Sequence, residues 1–95
     1  MKEQDIQKKI KDWLEKQGAY VVKVISASKA GIPDLLVCYK GKFIGIEVKT
    51  PKTKTNVSDL QYYNIELIDK AMGYAIVAWD LEGVQSFIRK IDETI

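Results

Sequence analysis

Apolar positions along the chain alternate between two periods, and the switches between them outline the fold. Ile6, Ile10, Trp13 and Leu14 fall three and four apart, which predicts an amphipathic helix over about residues 2–17, stopped by Gly18. The β-branched run 20–25 predicts a strand. Residues 26–33 read as a loop punctuated by Gly31 and Pro33. Two further strands, 34–39 and 43–49, flank a tight turn at Lys40-Gly41. Residues 50–56, with Pro51 and three threonines, form an exposed loop. Ser58 then caps a second helix, with Gln61 at the matching capping-box position and Gly73 shortly beyond its end. Leu60, Tyr63, Leu67 and Ala71 mark the stripe this helix is expected to bury. A fourth strand spans 74–79. Asp80 turns the chain into a last helix bearing Val84, Phe87, Ile88 and Ile91. The order is αβββαβα, an α/β arrangement of one mixed sheet flanked by helices, expected to form a single domain over 1–95.

Composition narrows the chemistry. The 95 residues are 46% apolar, enough for one packed core. There is no histidine, and Cys38 is the lone cysteine. These counts exclude an internal disulfide, serine and cysteine triads, cysteine-rich zinc sites and histidine acid–base catalysis. A metal would have to be held by oxygen, which points to Mg²⁺ or Mn²⁺. Net charge is only +2, but lysines crowd two segments: Lys8, Lys9 and Lys11, and Lys49, Lys52 and Lys54. Such a cluster is either a solvated face or a phosphate-binding one. No apolar run approaches a membrane span, and residues 1–17 are amphipathic rather than signal-like. The expected setting is the cytoplasm, of a bacterium or of a virus-infected host cell, with no membrane partner.

The turn at Lys40-Gly41 carries the functional argument. A two-residue loop puts Tyr39 opposite Lys42, and five further steps put Asp34 opposite Glu47. Opposed residues share a face, with Cβ atoms about 4.5–5.5 Å apart. Lys49, two residues beyond Glu47, joins them. Facing carboxylates repel unless a divalent cation sits between them. Acids on the solvated face of a sheet are the alternative reading. Strand 43–49 is otherwise apolar on both sides, however, which favours charge retained at a site.

These residues resemble a known signature. Gly31-Ile32-Pro33-Asp34-Leu35-Leu36, a hairpin, then Ile46-Glu47-Val48-Lys49 is similar to the PD-(D/E)XK nuclease motif. The Gly-x-Pro-Asp-Leu form, with Gln61 and Tyr63 opening the next helix, resembles the VRR-NUC branch in its short, virus-type form. The likeness runs from Glu3 to about Trp79. It implies a restriction-endonuclease-like core in which Asp34, Glu47 and the backbone carbonyl of Val48 bind Mg²⁺ or Mn²⁺. It also implies that Lys49 positions or activates the attacking water, that Glu3 adds a metal ligand from the first helix, and that Gln61 touches the scissile phosphate or lytic water. Two of these roles have simple structural alternatives. Glu3 would suit the helix macrodipole, and Gln61 would serve as a cap. Ser28 and Lys29 on the loop before Asp34, and Lys52 and Lys54 after Lys49, are candidate nucleic-acid contacts. Trp13 and Trp79 read as core or interface aromatics.

The activity implied is a metal-dependent DNA endonuclease leaving 5′-phosphate and 3′-hydroxyl ends, acting as a homodimer on four-way junctions. A nuclease for flaps, single strands or general duplex is the alternative within the same chemistry. A non-catalytic DNA-binding module is the alternative outside it.

Overall fold

Lys40 and Gly41 both adopt positive φ, 50° and 80°, the pair of conformations a type I′ hairpin turn requires. The turn sets the register of β2 (Leu35–Tyr39) against β3 (Lys42–Val48), with Tyr39 opposite Lys42 and Leu35 opposite Ile46. The computed structural model describes residues 1–94. Around this hairpin it arranges α1 (Glu3–Lys16), β1 (Tyr20–Lys23), α2 (Asp59–Lys70), β4 (Tyr74–Ala78) and α3 (Leu81–Thr94). The sheet order is β1-β2-β3-β4. The first three strands are antiparallel and β4 is parallel to β3, reached through α2. No helix among the described residues is long and apolar enough to cross a membrane.

Period-two alternation gives the sheet two faces. Leu35, Val37, Tyr39, Ile44, Ile46 and Val48 share one of them and are buried with Ile6, Ile10 and Leu14 of α1 and Val84, Ile88 and Ile91 of α3. On this side the Tyr39 hydroxyl donates to Asp92 of α3 at 2.7 Å, and Tyr74 meets Phe87 edge-on. Asp34, Glu47 and Lys49 fall on the opposite face, the one covered by α2. α2 approaches closely there because β3 carries Gly45. A Cβ at that position would lie 2.9 Å from the Pro33 ring and 3.0 Å from Ile68.

The sequence reading of α2 needs correcting. Its expected stripe, Leu60, Tyr63, Leu67 and Ala71, is exposed, Tyr63 by 57%. The face turned inward is Gln61, Asn64, Ile65 and Ile68, which also follows helical spacing. Asn64 decides between the two stripes. Its buried amide donates to Ala30 O at 3.0 Å and Leu60 O at 2.9 Å, tying the 26–33 loop to the helix. Strand β1 also ends two residues early. Ile25 projects into solvent, although Val24 N still donates to Asp34 O at 2.8 Å.

Candidate active site

Asp34 is delivered by a loop with little freedom. Gly31 has φ 80°, and a Cβ there would come within 2.7 Å of Leu60 O, so both the backbone twist and the close approach to α2 demand glycine. One step beyond the Leu35–Ile46 pair, Asp34 stands across from Glu47. The Asp34 carboxylate accepts a hydrogen bond from Val48 N at 2.8 Å. In an extended strand a residue's N–H and C=O point the same way, so the Val48 carbonyl is also directed toward the Asp34 side.

Glu47 is 3% exposed and yet carries a carboxylate. Its Oε2 accepts from Gln61 Nε2 at 2.8 Å and lies 3.4 Å from Lys49 Nζ. Burial, reinforced by the negative charge of Asp34, raises its pKa from the ordinary 4.5 to about 7; the nearby Lys49 ammonium opposes that rise only in part. Two converging carboxylates, one of them buried, are short of positive charge. That deficit, with the all-oxygen donor set of Asp34, Glu47 and the Val48 carbonyl, fits a hard divalent cation such as Mg²⁺ or Mn²⁺.

Gln61 fills two roles at once. Its Oε1 accepts from Ser58 N at 2.9 Å while Ser58 Oγ accepts from Gln61 N at 3.1 Å, closing a capping box. The other end of the same amide holds Glu47. The capping and active-site readings are therefore compatible.

Glu3, half-buried at the start of α1, does not complete a three-acid cluster with Asp34 and Glu47. Among the described residues, no group of three or more His, Cys, Asp or Glu side chains forms a metal cluster. α1 packs its Ile6–Ile10–Leu14 stripe on the other face of the sheet, with its N-terminal half toward Lys23 and Leu35. The polar side chain that α1 does bury is Gln7. Ser28 and Lys29 are exposed on the loop before Asp34, and Lys29 borders a groove between the hairpin and α2 rather than the carboxylates. Lys52 and Lys54 are exposed on the loop after Lys49. That loop is ordered by reciprocal bonds, Thr50 N to Thr53 Oγ1 at 2.9 Å and Thr53 N to Thr50 O at 3.0 Å. Lys54 Nζ lies 5.1 Å from the centre of the Trp79 ring.

Sequence reasoning missed two residues of this region. Asn64 was hidden because a polar residue was not sought on a buried stripe. Trp79 read as core or interface, yet it is 37% exposed. Its signal lay in parity, since Val77 is the partner of Glu47 and position 79 follows it by two.

An αβββαβα chain with Asp leading into its central hairpin and Glu-x-Lys ending it is built as a nuclease of the PD-(D/E)XK type. The chain belongs to the archaeal Holliday junction resolvase (Hjc) family, whose model matches residues 2–94. Among solved structures it is similar to a VRR_NUC domain, with a TM-score of 0.78 and 29% identity over 92% of this chain and 94% of that one. No curated protein matches it. Both matches are to nuclease families, in agreement with the signature read from the hairpin.

Proposed function

We propose that this protein is a Mg²⁺- or Mn²⁺-dependent endodeoxyribonuclease that cuts branched DNA, four-way junctions foremost, as a homodimer. The observation that carries this reading is the convergence of Asp34 and Glu47 on one face, with Lys49 and Gln61 both directed at Glu47.

Asp34, Glu47 and the Val48 carbonyl would hold the cation. When bound, the metal supplies an acidified water and stabilises negative charge developing on the phosphoryl oxygens. Gln61 holds the Glu47 carboxylate in place. Lys49 sits where its ammonium can donate to a non-bridging phosphate oxygen or orient the attacking water. Lys52 and Lys54 follow on the adjoining loop and suit neighbouring phosphates.

The dimer rests on symmetry and on surface. One chain offers one such site, and a symmetric junction presents two equivalent strands, which two sites related by a two-fold axis would match. The outer stripe of α2 supplies candidate interface residues. Leu60, Tyr63 and Leu67 stand exposed there, and Leu67, Phe43 and Met72 line a groove of about 530 Å³ between the hairpin and α2.

The test is cleavage of labelled four-way junction, flap, single strand and linear duplex with magnesium and with chelator. Magnesium-dependent cutting with junction preferred is the expected result. Comparable rates on junction and linear duplex would overturn the resolvase reading, and binding without cutting would favour a non-catalytic module. Light scattering checks the assembly: Leu67→Glu should halve the mass of a dimer, and a parent monomeric at assay concentration would remove it.

A further inference from the structure

Trp79 is only partly packed against the rest of the protein. Glu47 is the ladder partner of Val77, and strand alternation continued two residues on, just past the end of β4, directs Trp79 to the face that carries Asp34, Glu47 and Lys49. Lys49 N donates to Ala78 O at 2.9 Å, continuing the β3–β4 ladder past the strand ends. Positions 49 and 79 are thus neighbours across adjacent strands, about 4.8 Å apart in such a ladder. Trp79 is outside the core cluster, and more than a third of its surface is open. Over the ring sits the Lys54 ammonium, 5.1 Å from its centre.

We propose that Trp79 is a stacking platform for an unpaired nucleobase beside the scissile phosphate, with Lys54 as its exchangeable cover. This rests on the nuclease reading of the neighbouring carboxylates. An ammonium over an indole is a weak, exposed interaction that a phosphate can outbid. Lys54 therefore leaves the ring when a DNA strand enters and pairs with the backbone. The indole it uncovers fits a π face of any base, which makes the contact indifferent to sequence. Bases inside a duplex already have both faces stacked on their neighbours. Only a nucleotide at a branch point, a gap or a single-stranded stretch can use the platform. Trp79 would thus select DNA structure, while Asp34, Glu47 and Lys49 do the cutting.

The measurement compares a fully paired duplex with the same duplex carrying a short single-stranded gap. Binding is followed by fluorescence anisotropy in an Asp34→Ala background, so that nothing is cut. Trp79→Leu should lower the gapped-over-paired affinity ratio by about tenfold, and Trp79→Phe should keep most of it. In a Trp13→Phe protein, Trp79 is the one remaining tryptophan, and its emission should be quenched as oligothymidylate is added. A natively folded Trp79→Leu variant with an unchanged ratio would overturn the proposal, as would emission indifferent to saturating oligonucleotide. So would a Trp79→Leu variant that changes oligomeric state while keeping its preference, which would make the ring a contact with a second copy. A parent that neither binds nor cuts DNA would defeat the nuclease reading itself. A parent that cuts normally while Trp79→Leu keeps its ratio defeats only this inference.

Discussion

The two faces of the sheet are built to different ends. On the α1/α3 face, strands β2 and β3 present Leu35, Val37, Ile44, Ile46 and Val48, all within 2% of complete burial. On the α2 face the same two strands present Leu36, Gly45 and Glu47, with Asp34 just before them and Lys49 just beyond. The first face is dry and close-packed and supplies stability. The second gives up side-chain packing: a glycine where Pro33 and Ile68 leave no room for a Cβ, a buried acid opposite another acid, and a helix whose inner stripe is half polar. Buried charge of one sign destabilises a folded chain, so its presence on one face only points to a use.

Breaking each face separately should separate cleavage from stability. The largest effect is expected at Asp34 and Glu47. Asp34→Ala or Glu47→Gln should lower the cleavage rate by at least about 10²–10³-fold. For Glu47→Gln the metal-free melting temperature should hold or rise, because a repulsive buried pair has been relieved; Asp34→Ala also takes the acceptor from Val48 N, which offsets that gain. A variant that both melts lower and still cuts would contradict the division of labour. The counterpart on the other face is Ile46→Ala, one residue away and fully buried. It should cost about 2–5 kcal/mol in a denaturant titration and leave the specific activity of the folded fraction close to the parent's.

Acidity sharpens the comparison further. With Glu47 raised from 4.5 to about 7, the folded chain holds that proton more tightly than the unfolded chain does. Its contribution to metal-free stability is therefore full below about pH 4.5, declines as pH rises toward 7, and is flat above that. Melting temperature should fall by more than about 4 °C across that window, relative to Glu47→Gln, in which the slope disappears. A saturating divalent cation, which favours the ionised carboxylate, should also flatten it. Identical pH profiles for parent and Glu47→Gln would show that the acid is not held as described.

The smallest effects are expected at the α2 cap, where two functions share one side chain. Ser58→Ala removes capping alone and should cost about 1 kcal/mol with activity retained. Gln61→Ala removes the cap and the Glu47 contact together. Cleavage should then fall about 10–100-fold on top of a similar loss of stability. Equal activity in the two variants would reduce Gln61 to a cap.

Much of this site is legible in the sequence, and the reason is local geometry. A two-residue turn between alternating strands forces residue 34 against residue 47, and Ser58 with Gln61 forms its box within a single helical turn. Neither needs the rest of the chain. What escaped were relations between elements. The α2 sequence carries two candidate stripes, Leu60–Tyr63–Leu67 and Gln61–Asn64–Ile65–Ile68, and hydropathy favours the wrong one. The resemblance implies a metal ligand at Glu3, but the stripe that α1 buries faces the other side of the sheet. Lys29 has the right charge and lies on the loop that delivers Asp34, yet it borders a different groove.

Spacing along the chain thus determined which residues share a face: Asp34 with Glu47 and Lys49 on the hairpin, Ile6 with Ile10 and Leu14 on α1. It did so because strand and helix periods are set by the backbone and hold wherever the element lies. The tertiary structure alone decided which face each element turns toward its neighbours. That choice depends on clearances and bonds between distant residues, such as Gly45 admitting Pro33 and Ile68, or Asn64 reaching Ala30. Through it came the burial that lifts the pKa of Glu47 and the placement of Trp79 beside Lys49.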